Sequence, residues 1–91
     1  MNKNAIGKLI LLRINYYDNN NELLEQYQTS GIIESVTEKE IKIKRENYKV
    51  LFTIPNDDRA IMEAKPGKYR ERQSGKIIEN PDYISQWAVT G

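Results

Sequence analysis

From Gly31 to Pro55 apolar and polar side chains take turns along the chain. Tyr48, Val50, Phe52 and Ile54 fall on one side of an extended backbone, Lys49, Leu51 and Thr53 on the other, and Ile41 and Ile43 alternate with Lys42 and Lys44. A β-strand sends successive side chains to opposite faces, so this period of two predicts consecutive antiparallel strands with a dry face and a wet one.

The stretch before it reads the same way. Lys8 to Tyr17 places Ile10, Leu12, Ile14 and Tyr16 on one face; on the other, Leu9 and Leu11 give way to Arg13, Asn15 and Tyr17. That predicts a strand buried on both sides at its start and on one side at its end. Asp18, Asn19, Asn20 and Asn21 tolerate left-handed backbone and bond to their own main chain, which marks a hairpin turn. The return strand runs from Glu22 through Val36, and Gly31 within it predicts a bulge or bend where a side chain would collide with a neighbour. Asn21 to Gln28 also has fair helix propensity, but two turns without strong packing are marginal, and strand is the favoured reading.

Pro55 ends the central run because it cannot donate to a ladder. Asn56 to Ala60 then predicts a single helical or 3₁₀ turn, with Asn56 as a cap and Asp57 and Asp58 at its amino end. Ile61 and Met62 return to the core. Pro66 and Gly67 form a turn, Tyr69 to Arg72 a short strand, Ser74 and Gly75 a tight turn, and Lys76 to Ile78 the hairpin partner. Tyr83 to Val89 is open between a last strand and a short helix begun by Pro81.

With 91 residues, 38% hydrophobic and 30% charged, one domain with a modest core is expected, since ordering the backbone costs about 1 to 2 kcal/mol per residue and a second core could not offset it. The longest apolar run, Leu9 to Leu12, is far short of the ~20 residues of a membrane span. Arg13 interrupts that run and no small-residue cleavage site follows, so the chain reads as cytoplasmic rather than secreted. There is no cysteine and no histidine. This removes disulfides, thiol chemistry, the commonest neutral-pH base and the commonest transition-metal ligand, and the chain reads as a non-enzyme without cofactor. A net charge of +1 leaves any polyanion binding to a local patch.

Short strands at close spacing, a bent second strand and one helical turn before the last part of the meander predict an all-β fold of five to seven antiparallel strands. The arrangement resembles the SH3-like small barrels. An Sm-like ring protein would open with a helix, for which the residues before Gly7 leave no room, and an OB-fold would place a helix between its third and fourth strands. Pro66, Gly67, Tyr69, Arg70, Ser74, Gly75, Asn80, Pro81, Asp82, Tyr83 and Trp87, with Gly31 and Pro55 upstream, are similar to positions in short uncharacterised bacterial or phage proteins. That resemblance implies a small β fold and a bacterial or phage origin, and transfers no site.

Two sets of residues qualify as binding candidates. Lys65, Lys68, Arg70, Arg72 and Lys76 form the one local charge excess. Alternation predicts Lys68, Arg70 and Arg72 on one strand face beside Tyr69 and near Tyr83, a platform for a phosphate backbone or an acidic protein surface. The same cations also suit an exposed hairpin protected from edge pairing. The six tyrosines and one tryptophan are the second set: Tyr16, Tyr48, Phe52 and Trp87 suit the core, leaving Tyr17, Tyr27 and Tyr69 for a surface. Asp57, Asp58 and Glu63 read as a capped turn, because adjacent aspartates converge on neither a metal nor a cleft. The resulting expectation is a small interaction module for a protein partner, with a nucleic-acid-binding barrel as the alternative.

Overall fold

The computed structural model describes Met1 to Thr90. Its strands are β1 (Leu9–Tyr17), β2 (Leu23–Val36), β3 (Glu40–Lys44), β4 (Phe52–Pro55), β5 (Ile61–Glu63), β6 (Lys68–Arg70), β7 (Ile77–Glu79) and β8 (Tyr83–Thr90), with 3₁₀ turns at Lys3–Ala5 and Asp58–Ala60. Six strands form one sheet in the order β4-β3-β2-β1-β8-β5, and β6 and β7 form a separate hairpin. The all-β expectation holds.

In strand number, direction and closure the sheet differs from the sequence reading. There are eight strands rather than five to seven, because the stretch from Ile61 to Glu79 breaks into three short pieces, β5, β6 and β7. β1 and β8 are parallel; such a pair needs a long crossover, here everything from β2 to β7, and leaves no turn signal in the sequence. The ladder does not close into a barrel, since β4 and β5 remain its two edges.

Local chemistry explains most of the framework. Asp18 Oδ1 accepts the Asn20 and Glu22 amides at 2.8 and 3.0 Å, and Asn21 takes φ +62°, so the predicted hairpin turn forms as its side chains dictate. At Gly31 a Cβ would fall on the Lys44 carbonyl oxygen and within 2.7 Å of Ile43 Cγ2, which is the predicted collision. The register irregularity itself lies further on, between Ile33 and Ser35, where β2 pairs with β3. Tyr83 to Thr90 resolves to strand: the Leu9 amide donates to Asp82 Oδ2 and the Asp82 amide to the Leu9 carbonyl, both at 2.9 Å. This two-way clamp delivers Tyr83 opposite Ile10 and sets the parallel register.

The predicted strand from Tyr48 to Ile54 is half right. Only Phe52 onward joins the ladder, while Tyr48 is half exposed and Val50 is 78% exposed. Asn47 at φ +67° turns the chain out of the sheet, and Tyr48 is held by Arg45 instead of by a strand neighbour.

The sheet's two faces carry separate apolar layers. Ile10, Leu12, Ile33, Val36, Ile41, Ile43 and Ile54 form the main core with Ala5, and Met1, Phe52, Ile61, Tyr83 and Trp87 pack around it. Leu11, Ile78 and Ile84 are buried but stand outside that cluster, on the face that the β6–β7 hairpin crosses. Full burial of each such side chain contributes about 2 kcal/mol. Between the edges β4 and β5, Asn56 acts as the seam: its Nδ2 donates to the Met1 and Thr37 carbonyls at 2.9 Å each, and its backbone amide to the Lys39 carbonyl at 3.0 Å. The Met1 ammonium returns a bond to Asn56 Oδ1 at 3.0 Å and another to Asp58 at 2.5 Å. Asn56 is therefore a cross-link, and the cap of the 3₁₀ turn is Asp57.

Candidate functional site

The structure divides the predicted cationic platform. Lys68 and Arg70 do share the exposed outer face of β6. Lys68 Nζ lies 3.9 Å from Glu79 on the opposing strand. Arg72 is exposed but lies past the end of β6, in the turn, so strand alternation does not align it with them. Tyr69 faces the sheet: its hydroxyl donates to the Lys65 carbonyl at 2.7 Å, and the Arg13 guanidinium lies 6.0 Å from its ring centroid. Tyr83 opens β8 and packs on the main core, so it is not part of a shared surface with Tyr69. Lys76 is drawn away to Glu46, at 2.6 Å. That ion pair holds the Glu46 carboxyl below its ordinary pKa through the hydrogen bond and charge of Lys76.

A different cluster gathers where β3 leaves the side of β2. Arg45 has the same parity as Ile41 and Ile43, so strand alternation aims it toward the core face, where a cation needs partners. Its guanidinium lies 3.7 Å from the Tyr48 ring centroid and 4.7 Å from that of Phe52, a stacked position that suits a planar, weakly hydrated cation. Nη1 donates to the Tyr27 hydroxyl at 3.0 Å and lies 3.5 Å from Thr29 Oγ1, whereas Nε is buried with no partner. Interaction with the Tyr27 phenol raises the Tyr48 pKa, against the opposing pull of Arg45. Alongside, Glu71 accepts from Ser30 Oγ at 2.5 Å and Ser74 Oγ at 3.0 Å. Arg45, Tyr48, Ser30 and Glu71, together with Lys76 and Glu46, line an open cleft of about 410 Å³. The cleft's charges neutralise one another, which makes it a polar joint between the β6–β7 hairpin and the sheet. The one sequence signal for it was a basic residue at an inward parity.

The third feature is the outer edge of β2. β3 pairs with β2 only from Ile32 to Val36, leaving Leu23 to Gly31 without a strand on that side among the described residues. Gln73, from the β6–β7 turn, fills one place. Its Nε2 donates to the Gln26 carbonyl at 2.5 Å and its Oε1 accepts the Gln28 amide at 2.9 Å. A residue of a parallel strand opposite Tyr27 would make the same two bonds, one to the residue before and one to the residue after. The carboxamide is thus a one-residue imitation of a neighbouring strand. Beyond it, Leu23 is 49% and Leu24 67% exposed at the end of the edge. No local pattern announces this, since Gln73 and Gln26 are 47 residues apart.

Asp57 and Asp58 are used up in the turn. Asp57 Oδ1 accepts the Arg59 amide at 3.0 Å and its carboxylate holds the Arg59 guanidinium at 2.9 Å, which lowers the pKa of Asp57 and raises that of Arg59. No helix among the described residues is long and apolar enough to cross a membrane. No family model, no curated protein and no solved structure matches the chain.

Proposed function

We propose that this protein is a non-enzymatic interaction module that takes up an extended segment of a partner protein along the outer edge of β2, in place of Gln73. The observation that carries the reading is Gln73 seated as a single strand residue on an edge that otherwise ends in exposed Leu23 and Leu24. A real strand would make Gln73's two bonds and continue them, with the leucines supplying apolar contact. The absence of histidine and cysteine from the sequence supports a role without catalysis. The long β2, shared between β1 and β3, and the 3₁₀ turn before β5 support an SH3-like description of a sheet left open at one seam.

The test places a photo-crosslinking phenylalanine analogue at Leu24 and, as control, at Lys39, and exposes both proteins to extract of the source cells. A discrete protein adduct at Leu24 alone, gaining yield when Gln73→Ala vacates the edge, is expected. Equal labelling at both positions, or a yield that Gln73→Ala lowers, refutes the edge. The second reading, a nucleic-acid binder, is favoured by Arg70 and Arg72, which are exposed and form no ion pair among the described residues. Its signature is oligonucleotide affinity that falls steeply with salt and flattens on charge reversal at both arginines; binding without that salt slope excludes it.

A further inference from the structure

We propose that a second edge, the outer side of β8 from Gln86 to Thr90, pairs antiparallel with the same segment of a second copy of this chain. β8 is hydrogen-bonded to β1 along its length, but β5 covers it only from Tyr83 to Ser85. The rest has no ladder partner among the described residues. Other edges in the molecule are protected in recognised ways. β4 is four residues long and ends in Pro55, β5 is three residues long and carries Glu63, β6 and β7 carry Lys68, Arg70 and Glu79, and β2 has Gln73 in place. Gln86 to Thr90 has no proline, no charge and no register break.

Charge and pattern name the occupant. In a chain that is 30% charged, no residue from Tyr83 to Thr90 is an Asp, Glu, Lys or Arg. A charged strand would lose hydration against this edge without an opposite charge to meet, whereas a second copy brings none. A two-fold centred on Ala88 sets Gln86 against Thr90 and Trp87 against Val89. These match amide with hydroxyl and aromatic with β-branched side chains on a common face, with the small Ala88 meeting itself at the axis. Val89 is 43% exposed and would be covered. While Gln73 occupies the edge of β2, that of β8 is the one left open among the described residues, so growth stops at two. So short a seam belongs to the weakly associating class of interfaces.

Sedimentation from low micromolar to millimolar concentration is expected to show the apparent mass doubling. Val89→Lys and Thr90→Lys, both at exposed positions, should return the monomer mass with unchanged circular dichroism. The chain has no cysteine, so Ala88→Cys introduces a single thiol. Directly opposed residues of an antiparallel pair have Cα atoms about 4.5 to 5.5 Å apart, which a disulfide can span. Under mild oxidation Ala88→Cys should cross-link in preference to Lys39→Cys. A monomer at every concentration, a dimer that both lysine variants leave intact, assemblies larger than two, or equal cross-linking at positions 88 and 39 would each overturn the proposal. The β2 crosslinking experiment is read separately and neither result decides the other.

Discussion

Gly31 shows how one absent methyl group sets the spacing of two strands. Its missing side chain leaves room for the Lys44 carbonyl and the Ile43 side chain of β3, and both are backbone-bound or buried, so neither can step aside. Gly31→Ala is expected to destabilise the fold by about 1 to 3 kcal/mol, the usual effect of overpacking, read as a lower urea midpoint. Glu46 makes a second prediction at this scale. Its folded pKa is depressed by Lys76, so the pair's stabilising contribution is present above the unfolded value near 4.5 and is lost as pH falls through the lower folded value. A carbon-detected NMR titration should find the Glu46 carboxyl titrating below ordinary glutamates, and Lys76→Met should bring it back. An unmoved midpoint in Lys76→Met would show that the pair does not persist in solution. Arg45 is the residue on which sequence reasoning was weakest: its parity pointed inward, but the aromatic rings that make an inward cation tolerable come from Tyr48 and Phe52, in a part of the chain whose alternation looked like uninterrupted strand.

Among elements, the β6–β7 hairpin is attached largely through polar groups: Ser30 with Glu71, Gln73 with β2, and Lys76 with Glu46. Its buried apolar anchor is Ile78, 4% exposed. Ile78→Ala should cost about 2 to 5 kcal/mol as a core truncation. Hydrogen exchange would distinguish local from global loss: amides of β6, β7 and Gln28 should gain exchange before those of β1, and uniform acceleration would mean that the hairpin is not a separable unit. The first three strands were legible because their alternation and turn chemistry act over a few residues. β4 was read too long because Tyr48 and Val50 keep the right period but, after Asn47, no longer have a strand to pair with. The predicted row of Lys68, Arg70 and Arg72 failed for a similar reason, since β6 stops at Arg70 and the turn re-aims Arg72.

For the molecule as a whole, the notable feature is a sheet whose edge strands are consecutive in sequence yet not hydrogen-bonded to each other. Asn56, in the link between β4 and β5, holds the seam by binding Met1 and Thr37. Asn56→Ala removes these bonds and leaves the Met1 and Thr37 carbonyls short of a donor; a loss of about 1 to 3 kcal/mol is expected. Asn56→Asp, which keeps an acceptor for the Met1 ammonium but removes the donor, should fall between the two in thermal unfolding. Equal stability of all three would mean that the seam is held by the core alone.

The amino-acid sequence by itself determined that the chain is β-rich, where its first turns fall, and which isoleucines and leucines face inward, because those properties arise from side-chain period and backbone preference over a few residues. Only the tertiary structure decided that β1 and β8 run side by side, that the sheet stays open, and that Gln73 rather than a strand sits on the edge of β2. These depend on hydrogen-bonding groups brought together from distant parts of the chain, and a main-chain amide has the same chemistry at every position, so nothing local records which one it will meet.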